Sequence, residues 1–258
     1  MTQGSDFIWY ELMTGNTDAA AEFYAKVIGW RAADSGMPGM HYSIFSAGET
    51  MVAGLMAIPD EAAAAGMKPG WMTYIWVDDV DVYAERVAAA GGTVHRPGAD
   101  IPGIGRFAVV ADPDGVVFNL FRPSSDEGPA RPAPGTPGLV GWHELHAGNG
   151  EAAFSFYSGL FGWTATHDMP MGELGVYRIF KTSDSGPDVG GMLTKMPQTP
   201  HPFWMFYFNV DALDAAMQRA TDAGAQVIHG PMEVPGGAWI VQCVDPQGAL
   251  FAMVAPKR

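Results

Sequence analysis

One cysteine, Cys243, stands in 258 residues. A single thiol excludes an intrachain disulfide framework and a multi-cysteine metal cage, and it makes a reducing cytoplasm the expected compartment. Positive charge is also scarce: 14 Lys and Arg face 28 Asp and Glu, a formal net charge of −14. That balance repels phosphate backbones and argues against nucleic acid as a partner. No run of about 18 apolar residues occurs, so no membrane-spanning helix is expected. The opening MTQGSDFIWYELM lacks the basic-then-apolar pattern of a secretory signal. Charged residues make up only 16% against 48% hydrophobic, which excludes wholesale disorder and leaves ample material for a core. Gly (33) and Pro (20) are abundant without a collagen-like or low-complexity period, as many short strands joined by turns require.

What the chain does have is a second copy of itself. Displaced by 133 positions, Trp9-Tyr10-Glu11-Leu12 falls on Trp142-His143-Glu144-Leu145, Gly15-Asn16 on Gly148-Asn149, Phe23-Tyr24 on Phe156-Tyr157 and Gly29-Trp30 on Gly162-Trp163. Further on, Trp71-Met72 meets Trp204-Met205, Tyr74 meets Tyr207, Val77-Asp78 meets Val210-Asp211, and Asp112-Pro113 with Gly115 meets Asp245-Pro246 with Gly248. The register drifts only over about residues 31–65, where Tyr42 and Phe45 pair best with Tyr177 and Phe180. Residues 122–138, RPSSDEGPARPAPGTPG, are rich in Pro and Gly without apolar period and read as an exposed linker. The expected organisation is a first module over 1–121, the linker over 122–138 and a second module over 139–258.

Each copy predicts the same elements. FIWYELM is a strand; Asn16 or Thr17 caps a helix over 18–28 with Ala20, Phe23, Tyr24 and Val27 on one face, and Gly29 stops it. Strands follow at HYSIFSAG, 51–58 and 71–77. Asp78 and Asp79 cap a helix over 80–90, and RFAVVAD and VVFNLFRP, joined by the Asp-Pro-Asp-Gly turn, complete the copy. This is an α+β chain of two tandem βαβββ modules, each with a further strand or half-turn absorbed after the second helix. Helices on one face of each sheet leave the other face to curve around a small molecule.

The order W-x-E-L strand, FY…GW helix, V-D-D helix, then D-P-x-G before an apolar strand, written twice, resembles the glyoxalase / bleomycin-resistance / extradiol-dioxygenase group, the vicinal oxygen chelate superfamily. The resemblance covers both copies. It implies a pair of half-barrels built from curved mixed sheets with pseudo-twofold symmetry. It also implies a divalent metal held by His, Glu or Gln from the first strand, the strand before V-D-D and the strand after D-P-x-G. Here those places carry Trp9, Met72 and Asn119 in the first copy and Trp142, Met205 and Ala252 in the second. Indole and alanine are not ligands, and thioether sulfur suits soft metals. The expectation is therefore no metal centre and no cofactor, with a divalent metal as the alternative.

Alternation then gives an inner wall. Trp9 and Glu11 share a face, as do Trp142, Glu144 and His146; Met72, Tyr74 and Trp76; Met205, Tyr207 and Asn209; and Asn119 with Phe121. Rings and methionines suit a flat or apolar organic ligand. Glu11 and Glu144 are the candidate general bases, since a carboxylate is costly to bury and desolvation raises its pKa; the alternative is that each hydrogen-bonds a backbone amide or a Tyr or Trp of its own module. His143 and His146 fall on opposite faces of their strand and cannot chelate together, whereas Glu144 and His146 can. His41, His167 and His201 are unplaced, and His95 and His229 are expected at the surface. Cys243, Trp30 and Trp163 read as core. Two functions follow: a glyoxalase-like protein binding a small apolar or aromatic molecule, or a lyase, isomerase or dioxygenase using a divalent metal or a Glu base. A third reading treats the filled cavity as a core only. The expected partner is a small molecule, with no nucleic acid or membrane, for a monomer or homodimer.

Overall fold

The computed structural model describes residues 5–37, 39–125, 132–172 and 175–258. The first repeat contains β1 (Phe7–Thr14), α1 (Thr17–Val27), β2 (Arg31–Asp34), β3 (Tyr42–Ala47), β4 (Thr50–Ala57), a short α2 (Asp60–Ala64), β5 (Gly70–Trp76), α3 (Val80–Ala89), β6 (Thr93–Ile101), β7 (Gly105–Ala111) and β8 (Val117–Pro123). The second contains β9 (Val140–Ala147), α4 (Gly150–Phe161), β10 (Thr164–Pro170), β11 (Val176–Lys181), β12 (Gly190–Thr194), β13 (Phe203–Asn209), α5 (Leu213–Asp222), β14 (Gln226–Glu233), β15 (Trp239–Val244) and β16 (Leu250–Ala255). Each repeat forms one eight-stranded mixed sheet, in the orders β2-β3-β4-β1-β5-β8-β7-β6 and β10-β11-β12-β9-β13-β16-β15-β14.

Each repeat therefore holds two successive βαβββ units, one more than the periodicity predicts. The strand left out is β2 with its counterpart β10, while β6 and β14 stand where a further strand or half-turn is expected after the second helix; all four are sheet edges. Their side chains are mostly exposed, so no buried face imposes an alternating apolar pattern. The linker also starts later than expected, because Arg122 and Pro123 pair with β7 as the end of β8. Its residues 126–131 lie outside the described residues.

Local chemistry sets the helices. Asn16 and Asn149 accept backbone N–H bonds at the starts of α1 and α4, and Asp79 does so for α3. Gly162 ends α4 at φ 71°, a left-handed turn open to glycine. Among the described residues no helix is long and apolar enough to cross a membrane.

The chain folds into two compact units, and each draws on both repeats. One joins Thr73–Arg131 to Trp142–Trp204 with the N-terminal residues through Ile8; the other joins Trp9–Met72 to Pro132–Gly141 and Met205–Arg258. Within each unit, the recurring motifs are what join the parts drawn from the two repeats. In the second of these units, the Tyr24 hydroxyl donates to Asp245 at 3.2 Å and accepts from the Trp71 indole at 2.9 Å. In the first, Tyr157 donates to Asp112 at 3.1 Å and accepts from Trp204 at 3.2 Å. Both tyrosines are fully buried. The indoles of the GW motifs cross over as well: Trp30 donates to the carbonyl of Gly138, and Trp163 to that of Ser5, each at 2.7 Å. Trp30, Trp163 and Cys243 are core, and burial pushes the Cys243 thiol up to about 12, which keeps it protonated and unreactive.

Removing one hydroxyl tests this construction. Tyr157→Phe leaves the buried Asp112 carboxylate one donor short, and Tyr24→Phe does the same to Asp245. Each substitution is expected to lower unfolding free energy by about 1–3 kcal/mol, read as a lower urea midpoint at unchanged slope. A loss near zero in both would show that the bridges are incidental.

Candidate functional site

The site candidates occupy the strand faces turned away from the helices. On β1, Leu12 is fully buried and Glu11, its neighbour, takes the opposite face. There the Trp9 indole donates to the Tyr42 hydroxyl at 3.0 Å, and that hydroxyl also hydrogen-bonds the Glu11 carboxylate. The second repeat rebuilds the same group: the Trp142 indole donates to the Tyr177 hydroxyl at 2.7 Å, and Tyr177 donates to Glu144 Oε2 at 2.9 Å. Both carboxylates are buried, 4% and 8% exposed. Burial and the adjacent carboxylate push both tyrosine pKa values up, so each phenol stays a proton donor.

A glycine makes the group possible. Gly54 on β4 pairs with Glu11, and Gly191 on β12 with Glu144. A Cβ at Gly54 would overlap the Tyr42 hydroxyl, and one at Gly191 the Tyr177 ring. The tyrosine thus lies flat across the intervening strand to reach a carboxylate two strands away. Sequence reasoning ranked the two glutamates and two tryptophans but missed the tyrosines and glycines. The available signal was that Tyr42 and Tyr177 coincide between repeats at the point where the register drifts.

The second repeat adds His146, where the first has Met13. His146 Nε2 lies 2.8 Å from Glu144 Oε1, and its ring stacks on Phe203 with centroids 4.7 Å apart. His143 points to the opposite face, as alternation requires, stacked on Phe7 at 3.9 Å with Nδ1 2.7 Å from the carbonyl of Val189. His95, His167, His201 and His229 are exposed.

The remaining candidates fall in two further groups. In the unit containing β5 and β8, Tyr74 pairs with Asn119 and packs edge-on against Phe121, while the Arg122 guanidinium sits 5.3 Å over the Trp76 ring. In the other unit Tyr207 accepts a hydrogen bond from Gln242 at 2.7 Å. Asn119, Met205 and Tyr207 are each only 1% exposed and back the face, whereas Trp9, Met72, Trp76, Trp142, His146 and Asn209 retain partial exposure.

Among the described residues, no three His, Cys, Asp or Glu side chains converge to hold a metal ion. The nearest approach is Glu144 with His146, and there both carboxylate oxygens are committed, one to His146 and one to Tyr177.

The family model described as the Glyoxalase/Bleomycin resistance protein/Dioxygenase superfamily matches residues 7–120 and again 140–253. A Mycobacterium tuberculosis protein named "Putative glyoxylase CFP32" is 35% identical over 252 residues, 96% of this chain and 94% of its own length. The "Anthracycline biosynthesis protein DnrV" of Streptomyces peucetius is 31% identical over 258 residues, 95% and 91% of the two chains. Among solved structures, the Mn(II)-bound glyoxalase from Novosphingobium aromaticivorans superimposes with a TM-score of 0.68 at 17% identity, covering 99% of this chain and 83% of that one. The 2,3-dioxygenase LapB from Pseudomonas sp. KL28 gives 0.66 at 14% identity, covering 99% and 93%. At such identities the structural likeness establishes the fold.

The placement of His143 has a measurable consequence. Burial pushes its pKa from 6.5 down to about 4, so below pH 6.5 the unfolded chain takes up a proton that the folded chain resists. Its contribution to stability is complete above pH 6.5 and is lost as pH falls toward 4, by up to roughly 3 kcal/mol. His143→Gln should flatten that part of the stability profile measured by urea unfolding across the acid range. Parallel profiles for the two proteins would refute the neutral, buried imidazole.

Proposed function

Because this chain belongs to the glyoxalase/bleomycin resistance protein/dioxygenase superfamily, we propose that it binds a small aromatic molecule on the helix-free faces of its sheets, without a metal ion at the centre. The observation that carries this is the Trp–Tyr–Glu group built twice, with an indole fixed at a partly exposed position by a phenol that is itself fixed by a carboxylate. A fixed indole stacks on a flat ring at little entropic cost. Trp76, Met72 and Asn209 are likewise partly exposed and offer further apolar and amide groups. One relative is named for anthracycline biosynthesis, and anthracyclines are fused planar rings of this kind. A lone, buried cysteine suits action in a reducing cytoplasm.

The side chains do not fit a three-donor metal centre. Trp9, Met72 and Asn119, and Trp142, Met205 and Ala252, stand where the resemblance calls for ligands, and the Glu144 oxygens already have partners.

A second reading rests on His146. The imidazole beside Glu144 forms a dyad that can take a proton from a bound phenol or an acidic C–H, and Met13 denies this to the first repeat.

Tryptophan-fluorescence titration with an anthracycline aglycone, a naphthoquinone and a catechol tests the binding reading. We expect saturable quenching by at least one, and an affinity loss of about tenfold in Glu144→Gln or in Gly191→Ala, which displaces Tyr177. Mn(II) or Zn(II) added after chelation should leave affinity and thermal midpoint unchanged. Absence of quenching across the panel, or a stoichiometric metal required for it, defeats the proposal. Turnover of the bound ligand that disappears in His146→Gln would establish the dyad as a base.

A further inference from the structure

The two repeats diverge at a crevice between the first turn of their FY helix and the adjacent edge hairpin. In the second repeat that place is filled from within. Asp168 on β10 pairs in register with Arg178 on β11, and the guanidinium binds it two-handed, Nε and Nη2 each 2.8 Å from a carboxylate oxygen. The same guanidinium lies 5.1 Å over the Phe154 ring, and Glu151 in the first turn of α4 adds attraction. What is left is a cavity of about 100 Å³ bordered by Glu151, Val176, Arg178 and Met192.

In the first repeat the acceptors remain and the cation is gone. Asp34 on β2 occupies the register position of Asp168, opposite Ser43 instead of arginine. Ala21 stands where Phe154 does, and Asp18 where Glu151 does. Among the described residues, no Lys or Arg pairs with Asp34 or Asp18. The crevice opens to about 320 Å³, bordered by Asp18, Asp34, His41, Tyr42 and Ser43. Asp34 Oδ1 accepts the Gly36 N–H at 3.0 Å, which orients the carboxylate.

We propose that this crevice binds a guanidinium-bearing molecule, with the cation against Asp34 and Asp18 where the second repeat places its own Arg178. The planar fork of a guanidinium matches a carboxylate in a way that an ammonium does not. With Ser43 in place of the arginine, there is room for the cation and the chain that carries it. The chain's formal charge of −14 favours cation approach. Both aspartates are exposed, so binding is modest and weakens with salt. Tyr42 borders the crevice and also belongs to the Trp9–Tyr42–Glu11 group, but Asp34 and Asp18 have no part in that group, so a failure of guanidinium binding would leave the aromatic-ligand reading untouched.

Calorimetry at low salt provides the test, with agmatine, N-acetylarginine amide and the uncharged N-acetylcitrulline amide as probes. We expect one site per chain for agmatine and none for the citrulline compound, with affinity reduced about tenfold in Asp34→Asn. Response to the arginine amide as well would mean that the crevice takes the group from peptides; response to agmatine alone would restrict it to small free cations. The double variant Ser43→Arg, Ala21→Phe rebuilds the internal ligand and should abolish binding. Arg178→Ser should open a second site and raise the stoichiometry toward two. No heat with either guanidinium compound up to about 10 mM, equal binding of the citrulline compound, or undiminished binding by Asp34→Asn in a protein of unchanged thermal midpoint would overturn the proposal.

Discussion

A buried phenol donating to a buried carboxylate is the contact on which the rest of this structure depends. Asp112 sits at the turn before β8 with Oδ1 accepting the N–H groups of Asp114 and Val116 and Oδ2 accepting the Tyr157 hydroxyl. Burial pushes its pKa up, and the hydrogen bonds work against that rise. Asp245 repeats the arrangement with Gln247, Ala249 and Tyr24. A carboxylate of this kind is tolerable in a core only while its acceptor capacity is met. In both cases the tyrosine comes from one repeat and the aspartate from the other. Neither repeat can complete its turn alone, which is why the compact units cut across the duplication instead of following it.

The same economy recurs at the helix starts and on the site face. Gln247 holds both the N–H and the carbonyl of Asn16, and Asp114 accepts the N–H groups of Gly148 and Asn149, so each helix cap is tied to the turn that follows the aspartate of the other repeat. Strands anchored at that end present their outward rows at fixed height. On those rows a second tyrosine, Tyr42 or Tyr177, repeats the logic of indole to phenol to carboxylate, this time at partly exposed positions. One chemical idea thus serves twice per unit, for cohesion on the helix side and for fixing an indole at a partly exposed position on the other.

The sequence made much of this readable and hid the rest for physical reasons. Duplication exposed the FY, GW and D-P-x-G motifs because cross-repeat bridges hold both copies to the same residues. Alternation placed Trp9, Glu11, Trp142, Glu144 and His146 on one row, since each strand buries a clear helix-side partner such as Leu12 or Leu145. Strands β2 and β10 are not legible, and β6 and β14 only as a strand or half-turn, because an edge strand with two wet faces carries no periodic signal. Tyr42 and Tyr177 went unassigned for a different reason. Their reach depends on Gly54 and Gly191 vacating a path across an intervening strand, and a glycine in a strand announces close approach without naming what approaches. The pairing of Asp112 with Tyr157 was illegible too, because 45 residues separate them and no local pattern encodes a contact between repeats.

Once a chain carries two copies locked together by shared bridges, the residues outside those bridges are free to diverge, and here they divide into two kinds of change. On the outward rows Met13 against His146, Trp76 against Asn209 and Val109 against Gln242 give the second repeat the polar group, while Asn119 against Ala252 gives it to the first. At the edge hairpins, Ser43 against Arg178 and Ala21 against Phe154 alter two positions that touch each other in the second repeat. Losing the arginine alone would leave a bare ring beside two acids, and losing the ring alone would strip the guanidinium of its platform. The absence of both, with acids at Asp34 and Asp18, leaves a vacancy of matching charge where the second repeat has an internal ion pair. Asp34 holds the turn at Gly36 and Asp18 lies in the first turn of α1, so each acid also has a local structural role, and it is the missing arginine that sets the first repeat apart.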